Sequence, residues 1–169
     1  RRVLFGVKLT DISKVKGKTL DEVLNFLLTT DPAPDPPVNN YNTTTYTDPV
    51  VPLGQSWVTA PNDGKATGYR NSSFKSWWAG LMLNQNTSIH EKMVLFWHNH
   101  FATETVDIND ARYSYKHNAL LRTFALGNFK TLVKEITLDP GMLRYLNGYL
   151  NNKTSPDENY GRELQELFT

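Results

Sequence analysis

Seven of the nine prolines in this 169-residue chain fall between Pro32 and Pro61, and that block most constrains the fold. Proline fixes φ and lacks a backbone N–H, so a stretch this rich in it builds neither a helix interior nor a central strand. Asn, Thr and Asp fill the gaps, and residues 31–70 are expected to form a long irregular segment. Irregular runs of that length inside a domain are unusual; they wrap a surface or serve a site. Trp57 is the anchor expected to pin this one down.

Outside the block the pattern is helical. Thr19 and Glu22 form a capping box ahead of Leu20, Val23, Leu24, Leu27 and Leu28. From Asn71 the helices follow one another. Phe74, Trp77, Trp78, Leu81 and Met82 make one stripe, in which the paired tryptophans read as core rather than as a sugar platform. Ser88 and Glu91 box the next helix, whose stretch Met93 to Trp97 is apolar all round. A third runs from about Asp110 to Leu126, with Gly127 as its stop. Phe129, Leu132, Val133 and Ile136 mark a fourth, ended by Asp139-Pro140, and a short fifth reaches about Leu146. No stretch alternates with period two. The expected fold is mostly α: an irregular multi-helix bundle, with residues 1–169 as one helical domain or the N-terminal part of one, and the 31–70 segment within it.

The last helix carries the densest polar pattern. Ser155 is read as its N-cap, Pro156 as its first residue, and Glu158 as the capping-box partner. Asn159, Glu163 and Glu166 lie within about 60° of one another beside an apolar face of Tyr160, Leu164, Leu167 and Phe168. Glu163 borders that face, where a carboxylate is expected to find a partner such as Arg162, Lys116, Arg122 or one of the histidines. Gly161 costs roughly 1 kcal/mol against alanine inside a helix, so a close neighbour is expected there. No stop signal follows, and the first residue is Arg1 rather than Met; the chain is expected to be part of a larger protein.

Composition narrows the function classes. Eighteen basic against seventeen acidic residues, with no basic cluster, speak against a nucleic-acid partner. No apolar run is long enough to span a membrane. Without cysteine there is no thiol catalysis, disulfide or cysteine-based zinc site. No phosphate-binding glycine loop, Gly-x-Ser-x-Gly elbow or His-Glu-x-x-His pattern occurs.

What chemistry remains rests on histidine and carboxylate. On an ideal helix Ile89, Met93, Phe96 and Trp97 share a face with His100 near its centre, while His98 points nearly opposite. His117 falls within the apolar face of Tyr113, Leu120, Leu121 and Phe124. Each such imidazole is read first as a core residue bonded to a carbonyl or hydroxyl. His98, His100, Glu163 and Glu166 are the catalytic candidates, and Asn159 and Arg162 the substrate-binding ones. The sequence assigns no metal and no cofactor.

Several blocks in fixed order give the chain a likeness to a known group: Arg2 to Gly6 (RVLFG), Lys92 to Ala102 (KMVLFWHNHFA), Leu120 to Phe129 (LLRTFALGNF), Asp139 to Leu146 (DPGMLRYL) and Ser155 to Thr169. On these residues it resembles the large bacterial domain-of-unknown-function family numbered 1800. The resemblance implies a helical protein of several hundred residues, usually exported, of which this chain is the N-terminal portion. It implies no reaction. Asp157 stands where that family commonly has Asn, Gly161 where it has Ala, and the position of His117 often holds another polar residue.

Two functions stay open at this level. One is a hydrolase-like enzyme acting on an extracellular polymer such as a glycan, with His98 or His100 and Glu163 or Glu166 as an acid–base pair or as metal ligands. The other is a non-catalytic structural or binding module of an exported assembly, in which the polar residues fix helix packing. An exported location, periplasmic or at the cell surface, is expected under both. The expected partners are the rest of the parent chain and, through the apolar face of the last helix, a second copy.

Overall fold

The computed structural model describes residues 2–168, apart from the side chains of Leu167 and Phe168. The part of the expected apolar face that those two side chains supply therefore lies outside the described residues. The elements in order are α1 (Leu9–Val15), α2 (Leu20–Leu27), α3 (Gly64–Leu83), α4 (His90–His100), α5 (Thr105–Ile108), α6 (Ala111–Thr123), α7 (Phe129–Thr137), α8 (Pro140–Tyr145) and α9 (Glu158–Phe168). A single 3-10 turn, Gly148–Leu150, follows α8. Among the described residues there is no strand, only the isolated bridges Val38–Ser56 and Asn152–Ser155. The fold is mostly α, as the sequence implies.

Short polar side chains start several of the helices. Asp63, Asp110, Asn128 and Asp139 each accept backbone N–H bonds at the first turns of α3, α6, α7 and α8, and Pro140 occupies the first turn of α8. The Thr19–Glu22 box closes reciprocally at α2. Two other expected boxes do not form. At α9 the accepting side chain is Asp157, to the Asn159 N–H at 2.8 Å, while Ser155 belongs to the preceding Asn152 turn. At α4 Ser88 accepts from the His90 N–H, but Glu91 turns inward instead of back to Ser88. A capping-box pattern names a local option, and burial with a cationic partner outcompetes it.

The proline block has no helix from Asp31 to Asp63, but α3 begins at Gly64, earlier than the expected limit near Arg70. Buried Asp48 organises it. Its carboxylate accepts from the Tyr41 hydroxyl, the N–H groups of Val50 and Val51, and the Arg70 guanidinium at 2.9 Å. Burial alone would raise the Asp48 carboxyl; these donors outweigh it and hold it at about 2. Trp57 is fully buried and donates to the Ser73 hydroxyl, fastening the segment to α3.

Two apolar clusters share α6. Val51, Trp57, Phe74, Trp78, Val94 and Ala111 join the proline block to α3, α4 and α6. Phe101, Leu121, Leu132, Ile136, Met142 and Tyr160 join the end of α4 to α6, α7, α8 and α9. Each fully buried Leu, Ile or Met here contributes about 1.5–3 kcal/mol. By contrast α1 and α2 bury no residue, and Leu20, Leu24 and Leu28 stay exposed.

Candidate functional site

The buried face of α4 is not the one periodicity picks. Glu91 and Val94 are buried and His98 lies on their side, whereas Phe96 and His100 are exposed. A helix apolar all round offers no unique stripe, and the deciding contact is polar. Arg122 on α6 holds Glu91 in a two-bond ion pair, at 2.6 and 2.8 Å, and the Trp78 indole N–H donates to the same carboxylate at 3.0 Å. His90, one residue before, accepts the Asp31 N–H on Nδ1 and donates from Nε2 to the Arg122 carbonyl. These bonds set the rotation of α4 against α3 and α6.

That rotation aims His98 at the seam between α3, α4 and α6. Its ring stands edge-on to Trp78, centroids 4.8 Å apart, and 5.7 Å from the ring of His117. His98 Nδ1 is buried with no hydrogen-bond partner, as are the Ser114 hydroxyl and the Asn118 carboxamide on α6. Burial, and then the nearby His117 charge, push the His98 imidazole down to about 4. It is therefore neutral at pH 7. A cleft of about 300 Å³ opens beside it, walled by Phe74, Trp78 and Ser114, with Lys75 and Glu104 also lining it.

His117 lies deeper and is fully engaged. Nε2–H donates to the Phe101 carbonyl at 3.0 Å, and Nδ1 is hydrogen-bonded to the Asp139 carboxylate at 2.9 Å. The same Asp139 oxygen accepts the Met142 N–H at the start of α8. Gly141 permits this approach: a Cβ there would sit 2.9 Å from the Asp139 carboxylate and 3.2 Å from the Tyr113 carbonyl. The core reading of His117 thus holds for its burial and carbonyl bond, with a carboxylate added.

The α9 candidates form a group of their own. Arg162 donates to Asn159 Oδ1 at 2.7 Å, to Glu163 at 2.7 Å and to Glu166 at 2.9 Å, on a largely exposed surface. Among the described residues no hydrogen bond or ion pair joins Glu163 or Glu166 to His98 or His100. Among the described residues a Cβ at Gly161 would meet nothing within 4 Å, so the close neighbour expected there is not found among them. His100 packs edge-on against Trp97 and Phe101 on the outer side of α4.

Sequence reasoning overlooked Asp139, Glu104 and Ser114, and took Glu91 for a cap. A signal for Asp139 existed in Asp139-Pro140-Gly141, where proline starts a helix and glycine lets it approach another. Among the described residues no three His, Asp or Glu side chains gather in a metal-binding arrangement. Among them, too, no helix is long and apolar enough to cross a membrane.

No curated protein and no solved structure matches the chain. The family described as Protein of unknown function (DUF1800) matches it over residues 1–169. The blocks that surround the cleft, from the α4 helix to the Asp139 turn, therefore sit in a chain that belongs to the DUF1800 family.

Proposed function

We propose that His98 is the acid–base centre of a hydrolase-like enzyme acting on a neutral extracellular polymer such as a glycan, in an exported bacterial protein. One observation carries this reading: a neutral imidazole with an unpartnered nitrogen lines a cleft of about 300 Å³. Such a nitrogen accepts a proton from a hydroxyl or water brought into the cleft. Glu104 is the carboxylate that lines the same cleft, and His117, held by Asp139 and Phe101, keeps the His98 ring in place from behind. In this reading the Arg162 group, with Asn159, Glu163 and Glu166, contributes to substrate positioning rather than to proton transfer.

The test is hydrolysis of a panel of neutral polysaccharides by the full-length parent protein, followed by release of reducing ends. His98→Gln keeps a neutral hydrogen-bonding side chain but removes the base. It should lower kcat/KM by about 10²–10⁴-fold with an unchanged circular dichroism spectrum. Wild-type activity in that variant would overturn the assignment.

A second reading has its own support. The Glu91–Arg122–Trp78 and His117–Asp139–Phe101 groups are buried and internally bonded, as expected of networks that fix the packing of a non-catalytic module. A wild-type parent inert on the whole panel favours that reading.

A further inference from the structure

A second cleft lies between the start of the proline block, α3, the first residue of α4 and α6, and the proposed function does not use it. It has a volume of about 260 Å³, and its lining includes Trp77, Tyr115, Ala119, Arg122, Thr123 and Asp31. That is near the lower limit of small-molecule pockets, about 300 Å³, so it suits one ring rather than an extended ligand. We infer that this cleft is a binding site for a single ring of a neutral saccharide.

The aromatic wall comes first. Trp77 and Tyr115 meet edge-to-face with centroids 5.6 Å apart, both only partly buried. The Trp77 indole N–H is already given to the Asp35 carbonyl at 2.8 Å, so what remains of the ring is apolar surface. Aromatic surface in a wet cleft pairs with the C–H face of a ring that carries polar groups at its edge.

The polar side selects against charge. Arg122 is more than nine-tenths buried, and both its terminal nitrogens are bonded to Glu91. Its Nε–H is buried with no partner. One neutralised guanidinium with one free N–H fits an uncharged oxygen acceptor, not an anion whose charge would need a free cation. Asp31, also lining the cleft, repels an anion further. A cation is disfavoured in turn, because the Arg122 guanidinium already lies 5.8 Å from the Trp77 ring centroid. An oxygen-rich neutral ring satisfies all three conditions: apolar faces for Trp77 and Tyr115, an acceptor for Arg122 Nε–H, and hydroxyl donors for Asp31 and the Thr123 hydroxyl.

This extends the proposed function by a ligand class and a second contact surface. It is read without turnover, so its failure and the failure of the His98 reading are separate results. The experiment titrates the 169-residue chain with cellotriose, maltotriose and tri-N-acetylchitotriose, following the Arg122 Nε–H signal by NMR and tryptophan fluorescence. A trigalacturonate serves as the anionic probe and tetramethylammonium as the cationic one. At least one neutral trisaccharide should shift the Arg122 Nε–H saturably, and neither charged probe should match it. Ala119→Phe fills the cleft from α6 and should weaken binding at least tenfold. Trp77→Ala should do the same if it folds, and Ala119→Phe keeps the test intact if it does not. Absence of any neutral-saccharide shift, preference for a charged probe, or undiminished binding by Ala119→Phe would each overturn the inference.

Discussion

The rings of His98 and His117 stand 5.7 Å apart, inclined at 64°, yet the two imidazoles occupy opposite hydrogen-bonding situations. Both nitrogens of His117 face oxygen acceptors, whereas His98 keeps a buried nitrogen with no partner. On His98 a positive charge is disfavoured first by desolvation and then by the neighbouring His117. The pair therefore sets an imidazole with both nitrogens engaged beside one with a buried, unpartnered nitrogen.

This asymmetry sets a pH dependence of stability. The His98 imidazole is at about 4 in the folded chain against 6.5 when unfolded. Between those values the unfolded chain binds a proton that the folded chain refuses, so stability falls as the pH drops from 6.5 towards 4. Above pH 6.5 the group contributes no slope. The total loss is roughly 3 kcal/mol, given 1.36 kcal/mol per unit. The hydrogen-bonded carboxylate of Asp48, held at about 2, acts below this window. Urea unfolding at pH 7.5, 6, 5 and 4.5 should show the decline in wild type and a flatter curve in His98→Gln. Parallel curves would contradict the burial argument.

The Glu91–Arg122 pair supplies the largest expected single effect. Glu91→Ala leaves the Arg122 guanidinium buried without its counter-charge and removes the acceptor of the Trp78 indole. Breaking a buried pair in this way costs about 3–5 kcal/mol, a fall in Tm of roughly 10 °C for a chain of this size. The double change Glu91→Met with Arg122→Leu should recover most of that loss, since no charge is left behind. Thermal unfolding of the two variants beside wild type checks both statements. A single variant that melts within 2 °C of wild type would show that the pair does not hold α4 to α6.

Much of this fold was legible because its signals are local. Asx side chains, the Thr19–Glu22 box, and the Asp139-Pro140 boundary each act within a turn of backbone, and the proline block excludes helix by covalent geometry. The short α1 and α5 carry too few residues for a periodic signal and went unread. The site was less legible for a different reason. Along α4 every rotation presents apolar side chains, so the choice between His98 and His100 fell to Glu91, whose partner lies 31 residues away on α6. Likewise His117 could be placed in the core from its own helix, but its partner Asp139 is set by α8 and by the room that Gly141 leaves.

Two glycines should respond to alanine with opposite sign. At Gly141 the added Cβ would lie 2.9 Å from the Asp139 carboxylate, 3.1 Å from the His117 Cβ and 3.2 Å from the Tyr113 carbonyl, and the last is backbone. Gly141→Ala should therefore cost about 1–3 kcal/mol by overpacking α8 against α6. At Gly161, inside exposed α9, the Cβ would meet nothing within 4 Å. Gly161→Ala should add about 0.5–1 kcal/mol through helix propensity and a less free unfolded chain. Denaturation midpoints of the two variants give the signs directly, and shifts in the same direction would refute the packing account.

Glu163 is the residue on which packing and chemistry make different forecasts. Its side chain and that of Arg162 are 28% and 54% exposed, and its ion pair is with Arg162 at 2.7 Å. A pair so open to solvent contributes about 0–1 kcal/mol. Among the described residues α9 is docked by Tyr160, whose hydroxyl donates to the Thr137 carbonyl, together with half-buried Leu164 on the second apolar cluster. Glu163→Ala should then shift Tm by less than about 3 °C. Tyr160→Phe, which leaves the Thr137 carbonyl without that donor, should cost about 1–2 kcal/mol. Differential scanning calorimetry of both variants makes the comparison. A loss above about 2 kcal/mol in Glu163→Ala would assign Glu163 to helix packing after all. With stability retained, any fall in polymer hydrolysis by the full-length Glu163→Ala protein reports on substrate positioning, because unfolding no longer explains it.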